Sequence, residues 1–144
     1  MYQNILCLLG NGQDADQVLA RACAARDHFR AKLFLLTVVD FLPVTGAEDA
    51  MLSTPLVMAD ELQKQAQTRM RKFATSAGLE PGNTAVVQGE LAQEAGRCAQ
   101  DWQIDLIVLG KHERSGLSSW FNHAEDDVLH GCPCDLLAVH LCDQ

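Results

Sequence analysis

The chain has 144 residues, the length of one ordinary domain built on a single core. Apolar residues make up 48% and charged residues 21%, the balance of a soluble globular protein, which excludes disordered, collagen-like and coiled-coil chains. A formal charge of -8, with its 11 Lys and Arg scattered rather than gathered in a stripe, repels nucleic-acid phosphate and anionic lipid, so neither is expected as a direct partner.

The N-terminus, MYQNILCLLGNGQDAD, lacks the basic start of a secretion signal, and its apolar run ending at Gly10 reads as a strand buried on both faces. The next stretch takes helical spacing, with Val18, Leu19, Ala22, Cys23 and Phe29 on one face and Asp14 or Asp16 placed to cap its free amides. AKLFLLTVVD is a second buried strand. Residues 41–54 show no period and contain Pro and Gly, so they read as a long surface loop. From Pro55, Ala59, Leu62, Ala66, Met70, Phe73 and Ala77 recur at steps of three and four, which predicts a helix of about six turns stopped at Gly78.

NTAVVQ is a short third strand, and GELAQEAGRCAQDW a helix with Leu91, Ala95, Cys98 and Trp102 inward. IDLIVLG is a fourth strand ending at Gly110. Ser118 caps a predicted helix through Trp120, Phe121, Val128 and Leu129, and CDLLAVHL is a fifth strand. No repeat or second domain interrupts the series, and no apolar run approaches the roughly 18 residues of a membrane span. Strands alternating with helices, with no hairpin signals, predict a three-layer α/β open sandwich: a five-stranded parallel sheet with helices on both faces. Right-handed crossovers bring the ends of strands one and four, Gly10 and Gly110, to the crevice where such sheets bind ligands.

Several chemistries compete for that crevice. GNGQDA, residues 10–15, fits the G-x-G-x-x-A turn of dinucleotide sites, and Asp40 at the end of strand two is placed to take a ribose. Against this, Asp14 brings negative charge toward the phosphates, and a tight turn explains the glycines as well. His112, His123, His130 and His140 lie near Cys132, Cys134 and Cys142, all good ligands for zinc or copper. The Cys-Pro-Cys spacing is shorter than a zinc knuckle, however, and no metal or cofactor is assigned. The 6 cysteines fall mostly on apolar stripes, where reduced Cys packs as a small hydrophobe. Ser115, Ser118 and Ser119 lack a nucleophile elbow and read as turn and cap residues, while Glu125, Asp126 and Asp127 read as a solvated face. No catalytic constellation emerges.

The five-strand pattern, the long helix after a loose second loop, and the ending IDLIVLGKHERSGLSSWF with HGCPCDLLAVH resemble the universal stress protein family over essentially the whole chain. The resemblance implies strand order 3-2-1-4-5. ATP-binding members carry G-x-x-G, nine residues, then Gly and Ser or Thr, and end their first strand in an Asp that meets the adenosine. Here Gly110 holds the first position, Glu113 the second glycine's, His123 and Ala124 the later Gly and hydroxyl, and Gly10 the strand-end Asp's. One carboxylate about 4 Å from a phosphate costs roughly 4 kcal/mol at an effective dielectric near 20, half of the roughly 8 kcal/mol of micromolar binding.

The resemblance therefore implies a non-catalytic, cytoplasmic stress-response module with a degenerate nucleotide crevice formed by Gly10, Asp40, Gly110, Glu113, His123 and Ala124. Family dimers pair their fifth strands, so a homodimer through Leu136, Leu137, Ala138, Val139, His140 and Leu141 is expected, with Ser118 and Ser119 as phosphorylation candidates. The alternatives are an ATP- or AMP-binding switch, a redox or metal sensor at Cys132 and Cys134, and a plain interaction module.

Overall fold

A computed structural model describes residues 1–10, 14–39, 55–112, 132 and 134–141. Five strands form one sheet: β1 (Asn4–Leu8), β2 (Lys32–Val39), β3 (Thr84–Gln88), β4 (Leu106–His112) and β5 (Asp135–Leu141). All neighbours are parallel, in the order β3-β2-β1-β4-β5. Among the described residues three α-helices accompany them: α1 (Ala15–Phe29), α2 (Pro55–Ala77) and α3 (Leu91–Asp101). The sequence expectation of a parallel α/β sheet in the order 3-2-1-4-5 is the architecture observed.

Strand alternation divides the core into two layers. Successive side chains point to opposite faces. Ile5, Cys7, Leu33, Leu35, Leu106 and Val108 face α1 and α2, whereas Leu6, Leu8, Phe34, Leu36, Ile107 and Leu109 face α3. Both sets are buried because β1, β2 and β4 are covered on both faces, which is why these strands read as continuous apolar runs.

The helices follow the expected stripes with local differences. α2 buries Ala66, Met70, Ala74 and Ala77, so Ala74 joins the predicted face. Phe73 is half-buried, with the Arg69 guanidinium 5.5 Å from its ring centroid. Trp102 lies just past the end of α3 and stacks on Phe34, centroids 4.9 Å apart. The stop at Gly78 is as expected: its φ of 71° is a conformation that side chains resist, and Leu79 N–H returns to the Ala74 carbonyl at 2.8 Å.

One capping expectation fails. Asp14 occupies the N-cap of α1, but its backbone is helical (φ -83°, ψ -1°) instead of extended, and its side chain makes no capping hydrogen bond. Its carbonyl instead accepts from the amides of Gln17 and Val18.

The opposite, N-terminal end of the sheet is tied by carboxylates. Asp105 accepts from the amides of Gln3 and Asn4 at 2.9 and 3.1 Å, and the Tyr2 hydroxyl donates to Asp135 at 2.6 Å. That hydrogen bond raises the Tyr2 pKa.

Candidate functional site

The strand order reverses between β1 and β4, so the crevice of an open parallel sheet lies beyond their C-terminal ends. Pairing of β1 with β2 continues past its last strand residue, with Leu9 N–H on the Leu36 carbonyl at 2.9 Å, and then Gly10 emerges exposed. Among the described residues, an added Cβ on Gly10 would meet nothing within 4 Å, and its φ is not in the positive range. Neither packing nor backbone conformation demands a glycine there. The position offers the crevice no functional group.

Gly110 differs in both place and reason. The strand does not end at this residue as expected but runs on to His112, and Gly110 pairs with Val139 inside the β4–β5 ladder. A Cβ on it would fall 2.7 Å from Leu141 Cδ1 and 2.9 Å from Val18 Cγ2. These are closer than carbon atoms pack. Helix α1 and the end of β5 therefore converge on β4 through the space that glycine leaves open. Its lack of a side chain is explained by the approach of α1, with no phosphate required.

The start of α1 borders the same crevice. Helix N-termini attract anions through their unsatisfied amides. Here Asp14 stands at the N-cap and Asp16 in the first turn, so the chain's own carboxylates occupy that end. Of the other crevice residues named from sequence, Asp40, Glu113, His123 and Ala124 lie outside the described residues, as do Ser118, Ser119 and the predicted helix after Ser118.

The chain matches a sequence model of the universal stress protein family over residues 1–140. The chain belongs to the universal stress protein family. It is 29% identical over 144 residues to Universal stress protein A homolog 2 of Coxiella burnetii, covering 97% of this chain and 96% of that one. Among solved structures it is similar to the universal stress protein UspA of Lactobacillus plantarum, 28% identical with a TM-score of 0.68, covering 96% and 97% of the two chains. It also shares its fold with a universal stress protein solved in complex with cAMP, 19% identical, TM-score 0.60, covering 96% and 97%.

The second cluster raised by the sequence is the cysteine and histidine set near the end of the chain. Cys132 and Cys134 are half-buried and pack against the α3-side core layer. Burial raises both thiols, and for Cys134, with Cys132 and two carboxylates nearby, the pKa is pushed up to about 11. Protonated thiols are poor ligands and poor nucleophiles at neutral pH. His140 lies in β5 six residues beyond Cys134, which just precedes that strand, so their backbones are about 20 Å apart at the rise of an extended strand, too far to share one ion. Among the described residues no group of three or more His, Cys, Asp or Glu side chains is arranged to hold a metal. Cys7 is fully buried in β1, and burial pushes its thiol up well beyond the ordinary range.

The expected interface strand shows a division of labour. Val139 and Leu141 are buried in the domain's own core, Leu136 is half-buried against the α3-side layer, and Leu137, Ala138 and His140 are exposed. β5 pairs with β4 alone among the described strands and closes that side of the sheet. Among the described residues, no helix is long and apolar enough to cross a membrane.

Proposed function

We propose that this universal stress protein is a non-catalytic cytoplasmic stress-response module that does not hold ATP and works as a homodimer through β5. The observation that carries the reading is Gly10. An ATP-holding crevice in this family places a carboxylate at the end of β1, and here that position is an exposed glycine with no described residue within 4 Å of where a Cβ would stand. Gly110, the one retained position of the family's phosphate motif, is accounted for by the approach of Val18 and Leu141. Asp14 and Asp16 add negative charge where phosphates would rest. For dimerisation, β5 offers a sheet edge with exposed Leu137, 42% accessible, beside it. No described strand pairs with that edge, and pairing with a second copy is one way an exposed edge is covered.

Equilibrium titration with Mg-ATP tests the first part: no saturable binding is expected up to the millimolar range, and a low-micromolar dissociation constant would overturn it. Mass spectrometry of small molecules released from the freshly purified protein gives an independent reading of the same crevice. For the second part, sedimentation equilibrium is expected to give a dimer that Leu137→Lys weakens, and a monomeric wild type at high micromolar concentration would end that proposal. The alternative is a nucleotide-dependent switch, favoured by the fold shared with the cAMP-bound universal stress protein. Saturable binding of AMP or cAMP would select it.

A further inference from the structure

Two strands away from the β1/β4 crevice, the fold carries a second concavity. It lies between α2 and the edge strand β3 and has a volume of about 640 Å³. Met70, Ala74, Leu79 and Val86 give it an apolar wall, while Gln67 and Arg71 stand at its rim. Met70 and Ala74 belong to the core, whereas Gln67 and Arg71 are exposed.

An open sheet edge admits either an added peptide strand or a smaller ligand. The chain itself obstructs the first at β3. The Thr84 amide donates to the Pro81 carbonyl, and Gln63 Nε2 reaches from α2 to the Val86 carbonyl at 3.3 Å. Pro81, at the entry to the strand, has no N–H to offer. With its backbone template interrupted in this way, β3 presents side chains to an incoming molecule. The size of the crevice falls within the roughly 300–1,000 Å³ of small-molecule sites.

Charge defines the ligand further. Among the described residues Arg71 has no carboxylate within ion-pair distance, although the chain is acidic, with a formal charge of -8. A lone guanidinium beside an apolar wall recognises an anion attached to an apolar body. We propose that the crevice between α2 and β3 binds a small amphiphilic anion of the medium-chain carboxylate class. Its hydrocarbon lies along Met70, Ala74, Leu79 and Val86, and its carboxylate meets Arg71 with the Gln67 amide at hand. Met70 suits this role because its flexible thioether adapts to an irregular chain.

The test is calorimetric titration of the full chain with decanoate at low ionic strength. One saturable site per chain is expected. Arg71→Glu should weaken it by about tenfold or more, since one exposed charge contact is reversed. Thr75→Trp, at an exposed position lining the crevice, fills the space without entering the core and should abolish binding while the melting temperature is retained. Decanol, with the same chain and no charge, should bind about tenfold more weakly than decanoate. Absence of saturable binding below millimolar decanoate would overturn the proposal. So would binding that neither Thr75→Trp nor Arg71→Glu changes.

Discussion

Replacing Gly110 with alanine separates a packing glycine from a ligand-binding one. The new Cβ would sit 2.7 Å from Leu141 Cδ1 and 2.9 Å from Val18 Cγ2, against an ordinary carbon–carbon contact of about 3.5–4.0 Å. Val18 and Leu141 are 4% and 2% exposed, so both side chains are enclosed by the core and would have to repack around the new methyl group. Overpacking of this kind costs about 1–3 kcal/mol. Alanine also restricts the unfolded chain, which returns about 0.4–1 kcal/mol, because the φ of Gly110 is one that alanine can adopt. The net expectation is a loss of about 1–2 kcal/mol, or roughly 3–8 °C in melting temperature for a chain of this size. Urea denaturation of Gly110→Ala, Val18→Ala and the double variant measures it. Removing the Val18 methyl groups should relieve part of the clash, so the double variant should be more stable than the sum of the single losses predicts. A Gly110→Ala protein as stable as wild type would refute the packing explanation and return the glycine to a ligand role. Gly10→Ala is the internal contrast: with nothing near its Cβ, it should be neutral or stabilising by up to about 1 kcal/mol.

Gly78→Ala forces a side chain into the left-handed conformation at the end of α2 and should cost about 1–2 kcal/mol by denaturant titration. Asp105→Ala frees the amides of Gln3 and Asn4, and is expected to lower stability by about 1–2 kcal/mol and to speed amide hydrogen exchange there; unchanged exchange would count against the tether. Raised thiol pKa values make stability fall with alkalinity. The unfolded thiols ionise from about pH 9 while folded Cys134 holds its proton to about 11, so that contribution is complete below 9 and is lost across this window. Cys134→Ala should flatten the decline, and an unchanged slope would remove Cys134 as its cause. Maleimide labelling at pH 8 should reach Cys132 and Cys134 slowly and Cys7 only after denaturation, as read by mass spectrometry; rapid labelling of Cys7 in the native protein would contradict its burial.

The parts of the fold that could be read in advance are those where burial leaves a mark on residue order. ILCL, LFLL and LIVL are apolar at every step because both faces of the central strands are covered. The stripe of α2 and its stop at Gly78 are equally local. The failures are local in origin too, but depend on geometry that letters do not carry. Asp14 has the composition of a cap, yet its backbone is helical instead of extended and its side chain makes no capping hydrogen bond. β4 was expected to stop at Gly110, the usual reading of a glycine after an apolar run. It continues to His112 because β5 supplies a ladder partner as far as Leu141.

The candidate site divides in the same way. That its crevice lies beyond β1 and β4 follows from alternation and crossover handedness, and the replacement of the strand-end acid by Gly10 is visible in the letters alone. What Gly110 is for was not. Val18 and Leu141 lie 92 and 31 positions from it in sequence (110 − 18 and 141 − 110), and only the packing of α1 over β4 beside β5 brings them together. The crevice at β3 is a tertiary feature for the same reason: Arg71 and Val86 belong to different elements, neither of which alone encloses space. Sequence by itself determined the five strands, the helices among the described residues, the parallel sheet and the family, because periodicity and turn chemistry act between near neighbours. Tertiary structure alone decided which residues converge, because contact between distant segments depends on how layers of the sheet and helices pack.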